Sequence, residues 1–534
     1  MKALLIYPEL PLSFWSFPQA IRFMGAKAMY PPLGLLTVAA FLPEAWDIRV
    51  VDLNVRKLKE SDWEWSDIIL VSGMIVQRTG LDKIIKEARN RSKLTVAGGP
   101  YPTLTPDELL ANGCDFVVRG EVENTIDTLL ACIKSGKSGQ IIETNEKPDL
   151  STSRLPRYDL VDLNNYYNFL VQTTRGCLFS CEFCDIAGLY GKLPRSKSPD
   201  LVVAELEQLY QLGARGTILF ADDNFIANAN NAKAICRKIT EWNKQHQEPY
   251  GFQTQASINL GQNLEMIDLM TAANFGDIFI GVESPDEAIL TANKKYHNIT
   301  NPLLQSIENI KTNGLSIIGS FIIGFDNERK GAGKRICDFV DQTNIPIIMP
   351  NILTAPPGTN LWQRLIQEGR LATEATARLS GETNFCLPNF IPTRPLEEIM
   401  EEYIEMWEYL YTPSRFFDRT YRFCLAVRPT RRAMAMSKGE FPTHNIFPKA
   451  RKPPKKQLGE ILIFLHHIWA YGVLSSCRVQ FWKQLIGMQR HNPSRVNKYI
   501  IHCITGEELI QKQKTIRQKI YALLKEADRS PSIR

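Results

Sequence analysis

Histidine is scarce in this chain, with seven among 534 residues and none before His246. A metal site in the first 245 residues therefore has no imidazole to draw on. Eleven cysteines are too few and too scattered for a disulfide framework in so long a chain, so a local crowd of thiols reads as a metal site in a reducing cytoplasm. Charge of one sign is nearly absent in excess: the net charge is +6, with 22% charged and 44% hydrophobic residues, as in a globular protein. Long hydrophobic runs are missing too. The longest uncharged one, residues 461–477, is short for a bilayer span and contains His466 and His467, which favours a core or interfacial helix. The apolar start of the chain is too short for an export signal and runs into Pro8. No zinc-finger, phosphate-loop or nucleic-acid motif appears, and the basic run near residue 450 lacks the interleaved aromatics of a stacking platform.

What is present is concentrated in one loop. Cys177, Cys181 and Cys184 form a C-x3-C-x2-C array directly after an apolar, strand-like run at 169–173. A [4Fe-4S] cluster normally takes four thiolates, so three leave one iron with an open position, and an open metal position is where chemistry can occur. A zinc knuckle is the alternative, but the next cysteine is Cys236 and the first histidine His246. The array resembles the signature of the radical S-adenosylmethionine (SAM) superfamily, including the aromatic Phe183 before the third cysteine. The resemblance implies that SAM chelates the open iron and is cleaved reductively to a 5′-deoxyadenosyl radical.

The first 150 residues alternate short apolar runs (3–7, 48–52, 68–72, 94–97, 116–118) with helix-length segments (34–42, 81–90, 124–133). This is the doubly wound α/β pattern, whose ligands bind at the carboxyl ends of the strands. Glycines gather there, in Ser72-Gly73, Gly98-Gly99-Pro100 and Arg119-Gly120-Glu121, but no G-x-G-x-x-G follows the first strand, so dinucleotide binding is disfavoured. The arrangement resembles the Rossmann-like cobalamin-binding domain that precedes many radical SAM methylases. That implies cobalamin contacts at Ser72, Gly73, Gly98, Gly99, Pro100, Gly120 and Glu121. The D-x-H-x-x-G histidine of other cobalamin proteins is missing, so no imidazole from this domain can ligate cobalt.

Residues 166–390 repeat the alternation, with strands expected at 169–173, 217–221, 251–257, 277–282, 316–324 and 346–353. Six β/α units suggest a partial TIM-like (β/α)6 barrel with its functional groups at the carboxyl ends of the strands. Asp222 and Asp223, Ser257, and Glu283 fall at such ends. Taken singly, each acid could be a helix cap or a solvated loop residue. The resemblance implies a SAM site in which Asp222 and Asp223 accept the methionine ammonium and Glu283 the ribose hydroxyls, with Ser257 and Phe183 beside them. The expected layout is 1–148, a linker at 149–165, the barrel at 166–390 and a mainly helical domain at 391–534.

In that last domain Tyr403, Trp407, Tyr409, Tyr411, Phe416 and Phe417 crowd together, a core stripe or else a wall for a bulky apolar substrate. Residues 411–459 carry twelve Lys/Arg against Asp418 and Glu440, which is a solvated face or one that meets an anionic surface. With 461–477 as an interfacial helix, the domain is expected to cover the barrel mouth and admit a hydrophobic substrate from the inner membrane surface. The chain as a whole resembles the cobalamin-dependent (class B) radical SAM methylases related to the hopanoid 2-methylase group. That implies methylation of an unactivated carbon of a hydrophobic, isoprenoid-like substrate. It also implies two SAM molecules, cobalamin, a [4Fe-4S] cluster and a reductant such as flavodoxin or ferredoxin. Two other readings stay open: the same cofactors driving oxidation, rearrangement or cyclisation, and a non-catalytic iron-sulfur protein in electron transfer or sensing.

Overall fold

A computed structural model describes residues 1–14, 16–23, 25–381, 386–439 and 454–529. Its N-terminal sheet is built from β1 (Lys2–Tyr7), β2 (Asp47–Asp52), β3 (Ile68–Ser72), β4 (Leu94–Gly98), β5 (Phe116–Arg119) and β6 (Gln140–Glu143), all parallel in the order β2-β1-β3-β4-β5-β6. Strands such as Ile68–Ser72 are apolar on both faces because helices cover both. Helix Arg78–Asn90 packs on one side, and Leu33–Phe41 with Val122–Ser135 on the other, giving two separate cores. The strand β6 was not expected, since its four residues show only Ile141 and Ile142 as apolar signal.

Residues 149–165 form three short 3-10 turns that fold back on the first sheet, where the Arg157 amide donates to Leu36 at 3.0 Å. The second sheet follows: β7 (Phe169–Val171), β8 (Thr174–Arg175), β9 (Arg195–Ser196), β10 (Gly216–Phe220), β11 (Tyr250–Gln255), β12 (Phe275–Glu283), β13 (Ser316–Ile323) and β14 (Ile347–Ile352). Six of these make one parallel sheet in the order β14-β13-β12-β11-β10-β7, and β8 pairs antiparallel with β9 beside it. This is the open (β/α)6 arrangement. Its outward residues, among them Phe220, Phe252 and Ile278, join the largest core.

The C-terminal helices pack along the edge strand β14 and over the amino-terminal ends of the neighbouring strands. Tyr411 donates to the Ile348 carbonyl and accepts from the Ile348 amide at 3.0 Å. Arg419 reaches the Pro346 carbonyl, Arg495 the Gly314 carbonyl at 3.2 Å, and His502 the Ser316 hydroxyl at 2.9 Å. All three contacts lie where β13 and β14 begin. The domain therefore closes the barrel at the end opposite the cysteine loop, a correction to the expectation that it covers the mouth. The aromatic stripe is core, with Tyr403, Trp407, Tyr411, Phe416 and Phe417 fully buried. Of the basic run, Arg419 is buried under the barrel, and Glu440, Lys449, Arg451 and Lys452 lie outside the described residues. The apolar run at 461–477 is not one helix: Pro454–His467 passes into a wide π turn, Ile468–Leu474, before Arg478–His491 begins. Among the described residues no helix is long and apolar enough to cross a membrane.

Candidate functional site

The cysteine loop leaves β8 at Gly176, whose φ is +93°. A Cβ there would lie 2.9 Å from the Gly191 carbonyl and 3.0 Å from that of Leu193, so the close return of the β9 arm requires glycine. The far half of the loop is tied to the barrel. The Glu182 amide donates to Asn293 at 3.0 Å, its carbonyl accepts from Leu361 at 2.9 Å, and its carboxylate pairs with Arg364 at 2.7 Å. Phe179 stacks on His297 with 3.6 Å between ring centroids, and burial, with Lys295 nearby, pushes that imidazole down to about 3. Burial raises all three thiols; Cys181 also feels the charge of Cys177, and Cys184 those of Cys181 and Cys177. Among the described residues no three His, Cys, Asp or Glu side chains converge as ligands of a single ion would.

The acids at the strand ends separate into distinct roles. Asp222 is buried, and its two oxygens accept from the Thr173 amide at 2.6 Å, the Thr174 amide at 3.0 Å and the Thr173 hydroxyl. Burial still lifts it to about 6. Asp222 thereby braces the turn before the cysteines, and its Oδ2, with one bond from Thr173, keeps acceptor capacity. Asp223 takes one bond, from the Gly176 amide at 3.3 Å, and burial lifts it to about 7. Ser257 is held between Asn224 and Asn259 at 3.0 and 2.5 Å. Glu283 sits on a bulge at the end of β12 with φ +65°, and it forms a buried ion pair with Lys295 at 2.9 Å. Phe183 lies 5.8 Å from Phe325, ring to ring.

The carboxyl ends of β3, β4 and β5 face those of β7 and β10 across one cavity of about 370 Å³. Ser72, Gly73, Gly98, Gly99, Pro100, Gly120 and Glu121 all line it, opposite Gln172, Arg175, Tyr190 and Ala221. Gly99 has φ +96°, and a Cβ on it would come within 2.5 Å of the Ser72 hydroxyl oxygen, so glycine keeps this wall low. Glu121 differs from its neighbours. Its carboxylate accepts from Arg175 at 2.7 Å and Arg195 at 2.8 Å, and Arg175 also pairs with Glu123 at 2.9 Å. Glu121 thus bolts the first sheet to the cysteine loop while it lines the cavity.

Comparisons with known proteins match three successive stretches of the chain. Residues 24–130 match the B12 binding domain, 171–340 the radical SAM superfamily, and 359–522 a domain of unknown function (DUF4070). The chain is 41% identical to Uncharacterized methyltransferase sll1242 of Synechocystis over 97% of its length and 93% of that protein. It is 31% identical to the hopanoid C-2 methylase of Rhodopseudomonas palustris over 90% of its length and 88% of that protein. The chain belongs to the cobalamin-dependent radical SAM methylases. Among solved structures it resembles TsrM of Kitasatospora setae with cobalamin and a [4Fe-4S] cluster bound, at a TM-score of 0.63 and 15% identity over 96% of this chain and 99% of that one. That likeness concerns the fold alone.

The residues of this methylase suit its cofactors. Three thiols suit a cluster with one open iron, and a low glycine wall without imidazole or thiol suits a corrin face. Sequence reasoning missed Lys295, His297 and Arg364, which steady the loop and the Glu283 carboxylate. No spacing links them to the cysteines, because β12 and the Leu361 turn bring them in from far along the chain.

Proposed function

We propose that this methylase acts on an unactivated carbon of a hydrophobic, isoprenoid-type small molecule. The single cavity lined by both glycine-rich strand ends and the barrel strands beside the cysteines supports the reading, because methyl transfer needs both centres to reach one substrate. When bound, the cluster and SAM supply a hydrogen-abstracting radical, and cobalamin supplies the methyl carrier. The protein's part is positional. Cys177, Cys181 and Cys184 hold the cluster, and Asp223 accepts from the SAM ammonium while Asp222 fixes the turn. Glu283, braced by Lys295 at one oxygen and by Ser320 at the other, accepts from the ribose hydroxyls, and Phe183 and Ser257 complete that wall. Ser72, Gly73, Gly98, Gly99, Pro100 and Gly120 form the corrin seat. The apolar walls keep water away. A flavodoxin- or ferredoxin-type reductant delivers the electron. The test is anaerobic incubation of reconstituted protein with trideuteromethyl-SAM and the apolar lipid extract of its host, read by mass spectrometry. A labelled lipid is expected; deoxyadenosine formation without one argues for oxidation or rearrangement instead.

The hydrophobic substrate reading extends to a bilayer. Ile461, Leu465, Trp469, Leu474, Val479 and Trp482 are exposed on consecutive elements, Trp469 at 59%. Residues 461–506 contain no Asp or Glu but include Arg478, Lys483 and Arg490. An apolar face fringed by cations suits anionic headgroups. Flotation with phosphatidylglycerol vesicles should carry the protein, and Trp469→Ser/Leu474→Ser should leave it at the bottom. Equal flotation of both proteins contradicts this contact.

A further inference from the structure

The barrel has a second hollow, at the end away from the cysteines. Thr217 of β10, Asp277 of β12 and Ile347 of β14 line it from the strand starts, and Tyr167 and Asn168 lead into β7 beside them. The segment bearing Phe14 and Phe23 closes one side, and helices Pro454–His467 and Val496–Arg529 close the other. Its volume is about 680 Å³, against about 370 Å³ for the cavity between the two sheets. It falls within the roughly 300–1,000 Å³ typical of small-molecule sites.

Three acids and one lysine line its wall. Asp277 pairs with Lys498 and accepts from Gln253 at 3.0 Å, Glu507 meets His467 at 3.1 Å and His466 at 3.3 Å, and Glu508 follows it. His502, bonded to Ser316, is pushed by burial down to about 3 and so is neutral. Such a wall has little to offer a phosphate or carboxylate, whose burial would need unmatched cations. The rest is mainly aromatic and aliphatic. Ile463 and Phe464 form part of the roof on the same helix that exposes Leu458, Ile461, Leu462 and Leu465 to the outside.

We propose that this chamber binds a neutral, rigid isoprenoid lipid bearing at most a hydroxyl, taken up past Ile463 and Phe464 with the hydroxyl toward Gln253, Asp277 and Lys498. The identity of the lipid rests on the substrate reading above; the site itself does not. The test uses full-length protein and tritiated cholesterol, measuring retention on a desalting column, and diazirine-cholesterol crosslinking with peptide mapping. Saturable binding near one per chain is expected. Thr217→Trp/Thr505→Trp, which fills the hollow from opposite walls, should weaken it about tenfold. Crosslinks on the unaltered protein should fall within residues 14–30, 463–466 or 497–508, which answers the question even if the filled variant misfolds. Undiminished binding by a folded filled variant, or crosslinks confined to the exposed face from Trp469 to Trp482, overturns the proposal. A labelled chamber with no apolar lipid methylated would instead sink the substrate reading alone, and methylation with an unlabelled chamber would sink this one alone.

Discussion

Replacing Glu121 by glutamine should loosen the first sheet from the cysteine loop, and the size of the effect follows from the contacts. Glu121 is 4% exposed and Arg175 10%, so neither charge is well screened. The two carboxylate oxygens accept from Arg175 at 2.7 Å and from Arg195 at 2.8 and 3.0 Å. Glutamine keeps one acceptor but turns an amide donor toward a guanidinium. Arg175 retains Glu123, while Arg195 keeps only the carbonyls of Pro148 and Tyr190. Breaking one side of a buried pair costs about 3–5 kcal/mol, and the surviving Glu123 contact places this case at the lower end. The assay is urea unfolding of cofactor-free protein in a double-mutant cycle of Glu121→Gln with Arg195→Gln. A coupling of at least about 1 kcal/mol is expected, since directly bonded charges do not act additively. Additive effects within about 0.3 kcal/mol would refute the bolt.

Other consequences are simpler to state. Gly99→Ala should strip cobalamin retention while leaving iron content intact, because the new Cβ meets the Ser72 hydroxyl at 2.5 Å at a backbone angle costing about 1–3 kcal/mol for a side chain; absorbance spectra of reconstituted protein report both. Tyr411→Phe leaves the Ile348 amide and carbonyl without the hydroxyl that serves them and should cost about 1–3 kcal/mol in thermal unfolding. His502 has a folded-state pKa lowered to about 3 and faces Ser316, Lys498 and Asp277. Its contribution is therefore complete above its unfolded value of about 6.5 and is lost as pH falls from there toward 3. His502→Gln, which cannot protonate, should flatten the fall in stability between pH 7 and 5; an unchanged slope contradicts this.

The parallel strands were legible because a strand buried on both faces has to be written as an apolar run, and all eleven expected runs lie within two residues of a strand boundary at each end, as Leu94–Gly98 and Ser316–Ile323 illustrate. The two-residue arms β8 and β9 were not legible: their pairing rests on backbone hydrogen bonds and a glycine, which leave no hydrophobic period. The cysteines announced themselves by spacing. The hydrogen bonds from Thr173 and Thr174 to Asp222 did not, because they join residues 49 and 48 positions apart. The end of the barrel that the C-terminal helices cover was hidden as well, since amphipathic helices state which face is buried but not against what.

The claim on which the rest depends is that Cys177, Cys181 and Cys184 hold a cluster that breaks SAM. The most direct measurement is 5′-deoxyadenosine release from dithionite-reduced, anaerobically reconstituted protein, alongside iron content. Wild-type protein should bind about four irons per chain and release deoxyadenosine, and the Cys177→Ala/Cys181→Ala/Cys184→Ala variant should do neither. Deoxyadenosine from that variant at the wild-type rate would contradict the account.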